Sequence, residues 1–251
     1  MPDAGAGVEM PYAQLAPIYD RWTAENPYDR WADFVERRLK QHDARRVVDL
    51  CCGTGRLTRL LRGRGFDVKG IDGSEEMLAQ ARAIDGEGAD YLLRTLPSAD
   101  LGGAYDAALC TFDSVNYMAA DGELAELLRG VATALRPGGV FIFDVNTQRK
   151  IEQVFGSSHF GDDLDDFAYV WRNRYDAATR SIEFLITLFT RSDGASFSRA
   201  TEYHRQRWFT ENELETACAE SGFRVLEDLD DYTDNAVTPD TMRRCLVLVK
   251  E

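Results

Sequence analysis

The chain has 251 residues, 43 of them acidic and 29 basic, for a formal net charge of −14. That length buries a substantial core, and that charge repels a phosphate backbone, so nucleic acid is excluded as the expected substrate. No apolar run reaches the length of a membrane span, and the first residues lack the basic start and apolar core of a secretory signal.

Residues 1–10 are small, polar or acidic and are expected to be mobile. Residues 12–43 carry two helical patterns; in the second, Trp31, Phe34, Val35 and Leu39 share a face, with Arg37, Arg38 and Lys40 largely off it. An apolar strand, Val47–Cys51, runs into a glycine turn and an amphipathic helix through Leu57, Leu60 and Leu61. A second strand, Asp67–Asp72, ends in an acid, and Ser74 caps the next helix with Glu75 and Glu76 in its first turn. Strands follow near Tyr91–Arg94 and over Asp106–Thr111. Asp121 is the expected cap of a helix carrying Leu124, Leu127, Leu128, Val131 and Leu135, which Pro137-Gly138-Gly139 stops before a strand at Val140–Asp144. Strands alternating with helices imply a doubly wound, Rossmann-like α/β sheet.

The pattern then changes. Phe167–Tyr175, Ser181–Arg191 and Phe197–Trp208 alternate in polarity between turn segments, which predicts a three-stranded antiparallel meander. Thr210 and Glu213 form a capping box for a last helix ending at Gly222, and strands at Phe223–Leu229 and Cys245–Lys250 close the chain. The expected organisation is one domain, 11–150 and 209–251, interrupted by a β insert at 151–208. The acidic run 162–166 reads as a solvated loop rather than a calcium site. Cys51, Cys52, Cys110, Cys218 and Cys245 lack metal-ligand spacing and read as buried thiols of a reduced, cytoplasmic protein. A homo-oligomer is left open.

Strand, glycine turn, helix, strand and acid describe a nucleoside-binding crevice, with Asp72 placed to accept from a ribose diol. The dinucleotide fingerprint wants a third glycine where Thr58 stands, so the match to it is incomplete. The phrases D-L-C-C-G-T-G (49–55) and G-I-D-G-S-E-E-M-L (70–78) resemble the class I S-adenosylmethionine-dependent methyltransferases. Y-D-R-W at Tyr19, P-Y-D-R-W around Tyr28, F-D-S-V-N-Y-M (112–118), G-G-V-F-I-F-D-V-N-T (138–147) and E-Y-H-R-Q-R (202–207) resemble, within them, sugar-amine N,N-dimethyltransferases and glycine N-methyltransferase.

The resemblance covers the chain from about Tyr19 onward and implies an antiparallel C-terminal edge, S-adenosylmethionine as cofactor and a small-molecule acceptor. Gly53 and Gly55 would let the backbone approach the methionyl part, with Asp49, Cys51 and Gly73 bordering it. Asp72 would hold both ribose hydroxyls, Met77 or Leu96 would flank adenine, and the backbone at Cys110 would receive the ammonium. Tyr19 and Tyr28 would reach the carboxylate. Where the family has an acid for the adenine amino group this chain has Thr95, a weaker acceptor. Packing alone also accounts for Met77, Tyr28 and Trp31, but hardly for an acid closing an apolar strand.

Methyl transfer needs mainly alignment and a neutral or deprotonated acceptor. Tyr12, Asp113, Asn116, Asn146 and Glu202 are the candidate acceptor contacts, with Tyr117 expected to orient the acceptor. His204, of the residue type that titrates near neutrality, is the second catalytic candidate. Glu202, His204 and Gln206 share one face of a strand, which could equally be the solvent side of an edge. The insert is expected to serve the acceptor more than the cofactor. The reading is metal-free N-methylation of a small amine. Its alternatives are O-methylation, with Asp113, Asp144 and Asn146 as magnesium ligands, and non-catalytic cofactor binding.

Overall fold

A computed structural model describes residues 8–9, 11–97, 100–156 and 158–251. In chain order the elements are β1 (Val8–Glu9), α1 (Tyr19–Trp22), α2 (Tyr28–Gln41), β2 (Arg46–Leu50), α3 (Arg56–Gly63), β3 (Asp67–Asp72), α4 (Glu75–Asp85), β4 (Tyr91–Leu93), β5 (Tyr105–Cys110), α5 (Glu123–Ala134), β6 (Leu135–Asn146), β7 (His159–Asp163), β8 (Phe167–Asp176), β9 (Ser181–Asp193), β10 (Ser196–Arg207), α6 (Glu211–Glu220), β11 (Phe223–Asp230) and β12 (Arg243–Lys250). They build a seven-stranded sheet in the order β11-β12-β6-β5-β2-β3-β4 and a five-stranded sheet in the order β1-β10-β9-β8-β7.

The larger sheet is the expected Rossmann-like one. β2 pairs in parallel with both β3 and β5, as adjacent βαβ units require. β12 lies antiparallel between β6 and β11, so the closing strands form an antiparallel edge. Apolar clusters cover both faces, one built on Leu124, Leu127 and Val131 of α5, the other on Trp31, Phe34 and Val35 of α2. The strand order reverses between β2 and β5, which opens a crevice at their carboxyl ends, where this class of sheet binds ligands.

Several expectations need correction. Arg38 lies on the buried face of α2: its guanidinium sits 3.8 Å from the Phe34 ring centroid and pairs with Glu227 and Asp234 at 2.8 and 2.6 Å. Asp121 does not cap α5; Gly122, at φ +86°, holds the N-cap and Glu123 accepts from the Ala120 N–H instead. The helix ends at Ala134, and Pro137-Gly138-Gly139 lies within β6. The insert has four strands, since β7 adds to the meander and takes Asp162 and Asp163 from the expected loop. Within the segment expected to be mobile, Val8–Glu9 pair in parallel with β10; residues 1–7 and 10 lie outside the described residues.

Gly55 shows why the glycine turn tolerates no side chain. It sits at φ +76° as the N-cap of α3, and a Cβ there would collide with the Tyr91 hydroxyl and stand 2.9 Å from the ring carbon bearing it. Gly55→Ala should therefore cost about 2–4 kcal/mol from left-handed strain plus overpacking. Urea unfolding checks this, with Tyr91→Phe in the same chain recovering only the hydroxyl's part of the collision and leaving the close ring carbon and the strain.

Candidate functional site

Two cavities open along the carboxyl ends of the strands and share a wall. The first, of about 240 Å³, is lined by Cys51, Gly53, Asp72, Gly73, Met77, Thr95 and Leu96, and also by Arg94, Ser114 and Met118. The second, of about 310 Å³, lies toward the five-stranded sheet and is lined by Asp113, Lys150, Trp171, Phe184, His204, Gln206 and Arg243 among others. Tyr12, Tyr19, Phe112 and Tyr117 line both, so a partition of four aromatic rings stands between them.

The first cavity is built around Asp72, at the end of β3. Its Oδ2 accepts the Gly53 N–H and its Oδ1 the Ser74 N–H, each at 2.8 Å, which fixes the carboxylate at the cavity edge. Burial raises its pKa against the lowering effect of these backbone donors. A carboxylate so placed retains acceptor capacity on both oxygens for a diol. Gly53, at φ +56°, leaves open the space that a side chain would fill, within 4.0 Å of the Met77 sulfur. The residues present thus fit a nucleoside with an apolar base flank.

Asp49 and Gly55 support this cavity from beneath rather than line it. Asp49 is 1% exposed, its Oδ2 accepts from the Thr58 hydroxyl at 2.5 Å, and burial pushes its pKa up to about 7. Thr58, where a dinucleotide site would have glycine, is the donor this carboxyl uses. Cys110 is fully buried and its side chain faces the core. Tyr28 lines neither cavity: it stacks on Phe112 at 5.8 Å under the Arg56 guanidinium, and burial pushes its pKa up to about 12. It buttresses the partition from behind.

The turn after β5 carries the partition. Phe112 and Asp113 take φ of +66° and +50°, a left-handed pair costly for residues with side chains. Asp144, fully buried at the end of β6, holds it by accepting both N–H groups, at 2.8 and 2.5 Å, and the Tyr232 hydroxyl. Asp113 accepts from Gln206 at 2.7 Å and pairs with Arg243 at 3.1 Å. Asn116 and Asn146 do not reach the second cavity: Asn116 accepts the Asn146 N–H at 2.8 Å and donates to the Arg207 carbonyl at 2.7 Å, locking the turn to β6 and β10. Of the three side chains considered for magnesium, Asp113 and Asp144 are thus committed to N–H and O–H partners, while the buried Asn146 Oδ1 has no hydrogen-bond partner among the described residues.

Glu202, His204 and Gln206 face inward, at 0%, 2% and 2% exposure, so the solvent-side alternative falls. Glu202 does not line the cavity. Its Oε1 accepts the N–H of Gln14 at 2.5 Å and of Leu15 at 3.0 Å; its Oε2 takes the Tyr12 N–H at 2.9 Å and lies 3.0 Å from His204 Nε2. From His204 Nδ1 the chain continues to the Tyr117 hydroxyl at 2.8 Å and on to the Tyr12 hydroxyl at 2.8 Å. Burial raises both phenols well above their ordinary range, so at neutral pH each is protonated and can both donate and accept.

The Asp49 carboxyl holds its proton in the folded protein up to about pH 7, whereas an unfolded Asp ionises near its ordinary value of 3.8. Between those values the unfolded state binds fewer protons, so this group's contribution to stability falls as pH rises, by about 1.4 kcal/mol per pH unit. In Asp49→Asn that slope should vanish relative to the parent chain, measured by denaturant unfolding across pH 4–7. For Glu202→Ala the released Tyr12–Leu15 segment should loosen the shared partition, weakening nucleoside-cofactor affinity by at least about tenfold in calorimetric titration.

A methyltransferase-domain family model matches residues 22–228. A putative methyltransferase of Geobacillus sp. (strain WCH70) is 31% identical over 248 residues, 96% of this chain and all of that protein. A glycine/sarcosine N-methyltransferase of Halorhodospira halochloris is 33% identical over 151 residues, 56% of each chain. Among solved structures, an S-adenosylmethionine-dependent methyltransferase from Clostridium acetobutylicum superposes with a TM-score of 0.85 at 28% identity, covering 95% of this chain and 98% of that one.

Proposed function

The chain belongs to the S-adenosylmethionine-dependent methyltransferases, and from the partition between its two cavities we propose that it methylates the amine nitrogen of a small molecule without a metal. The cofactor is S-adenosylmethionine, which when bound supplies an activated methyl group on a sulfonium. We assign it to the cavity of Asp72 and Met77, and the acceptor to the cavity of His204.

The observation that carries this reading is the Tyr117 hydroxyl, on the wall common to both cavities and hydrogen-bonded to His204 Nδ1 at 2.8 Å. Such a hydroxyl orients an incoming acceptor nitrogen and can pass a proton from it to the imidazole, whose ring Glu202 fixes from behind. A cavity of about 310 Å³ limits the acceptor to a small molecule. Nitrogen is favoured over oxygen because an amine gains positive charge as the new bond forms. Tyr12, Tyr19, Trp22 and Phe112 line this cavity, and aromatic walls stabilise such charge more than the neutral starting amine. The glycine/sarcosine N-methyltransferase among its relatives supports the same choice.

Incubation with cofactor and panels of amines, amino acids, amino sugars and phenols, read by mass spectrometry, tests this. N-methylated product and S-adenosylhomocysteine should form in the presence of a chelator, with rate falling on acidification as the amine takes up a proton. Tyr117→Phe should lower turnover by about 10²-fold while cofactor affinity stays within about threefold. Product found only on hydroxyl acceptors, lost in chelator and restored by magnesium, would replace this reading with O-methylation.

A further inference from the structure

The charges around the acceptor cavity are not equally committed. Asp113 is engaged by Gln206 and Arg243, and Arg243 by Asp113 at 3.1 Å and Asp144 at 3.9 Å. Lys150 differs. It begins the π-helical turn Lys150–Phe155 after β6, lines the same cavity, and enters no ion pair among the described residues. Its ammonium stands 5.5 Å from the Phe155 ring centroid, on the wall formed with Trp171 and Phe184. Burial, followed by repulsion from Arg243, lowers its pKa, against the longer-range pull of Asp113, Asp144 and Asp231. A partly desolvated cation without a contact anion is costly, and a ligand anion would offset that cost.

We propose that Lys150 anchors a carboxylate carried by the methyl acceptor, so that the acceptor is an amine bearing an acid group, of the amino-acid type. The proposal rests on assigning this cavity to the acceptor. A singly charged group matches a single uncommitted ammonium; a phosphate dianion would leave charge uncompensated beside Asp113 and Asp144. With the acid on Lys150, an amine on the same small molecule lies within the cavity that the Tyr117 hydroxyl also borders. The selectivity then comes from pairing a desolvated charge, and a neutral carboxamide in the same place would leave the ammonium unpaired.

Calorimetric titration of the enzyme loaded with S-adenosylhomocysteine tests this with matched probes: glycine and glycinamide, phenylalanine and phenylalaninamide, phenyllactate and phenyllactamide. In the parent enzyme the carboxylates should bind at least about tenfold tighter than their amides. Lys150→Met should erase that preference and raise KM for acidic amines about tenfold with kcat within about threefold, whereas Lys150→Arg should keep most of it. Affinity for S-adenosylhomocysteine, titrated in each variant, reports that the fold is retained. Equal binding of acids and amides, or no binding of any carboxylate up to its solubility, overturns the proposal. So does a kcat loss shared by Lys150→Arg and Lys150→Met, which would make Lys150 a proton acceptor instead. Failure of the amine reading looks different: the carboxylate preference persists while only the hydroxy acid is methylated.

Discussion

The Glu202 carboxylate is wholly withdrawn from solvent and receives N–H groups from Tyr12, Gln14 and Leu15, 187 to 190 residues away in sequence. Burying an ion is costly unless its lone pairs are filled, and here three backbone donors and one imidazole fill them. The consequence is mechanical as well as electrostatic. The segment so held carries Tyr12 and leads into Tyr19, two of the four rings that divide the cavities. A residue of the inserted sheet thereby shapes the wall of the Asp72 cavity as well as that of the His204 cavity.

Periodicity made the larger sheet legible because each strand is an apolar run closed by a turn residue, and each helix has one apolar face. Asp72 was legible for the same reason: an acid ending an apolar strand has no packing explanation. Four kinds of contact were not. Arg38 looked like solvent-facing charge because its partners Glu227 and Asp234 come from the far end of the chain. Glu202 looked like an acceptor contact because strand alternation reveals a shared face but not what covers it. Lys150 and Arg243 sit in unremarkable local sequence; Arg243 reaches the cavity through the pairing of β12 with β6, and Lys150 from the turn that follows β6. Asp144 stood beside Asp113 in the sequence reading as a potential metal ligand. Its actual task, holding two left-handed residues, is invisible without backbone angles.

The direction of the hydrogen-bond chain follows from its acceptor end. As a carboxylate Glu202 only accepts, and with Glu202 in that form His204 Nε2 donates to it. A neutral imidazole then presents Nδ1 as an acceptor, so the Tyr117 hydroxyl donates to it and its oxygen takes the Tyr12 proton. Neither phenol ionises readily in this burial, so no standing phenolate serves as base. Proton movement through such a chain has to be concerted, each hydroxyl releasing one proton as it receives another, with the charge residing on the imidazole beside Glu202.

A net charge of −14 looks hostile to an acidic acceptor, yet charges beyond about 8 Å are largely screened at physiological ionic strength. What an incoming molecule meets is the local set, Lys150 and Arg243 against Asp113 and the buried Asp144, nearly balanced in number. The balance is uneven in space. Arg243 and the two acids are drawn together into one hydrogen-bonded group, leaving the ammonium apart among rings that cannot screen it. Local field, rather than total charge, is therefore what acts on a ligand inside the cavity, while the acidic exterior acts on the rate of encounter.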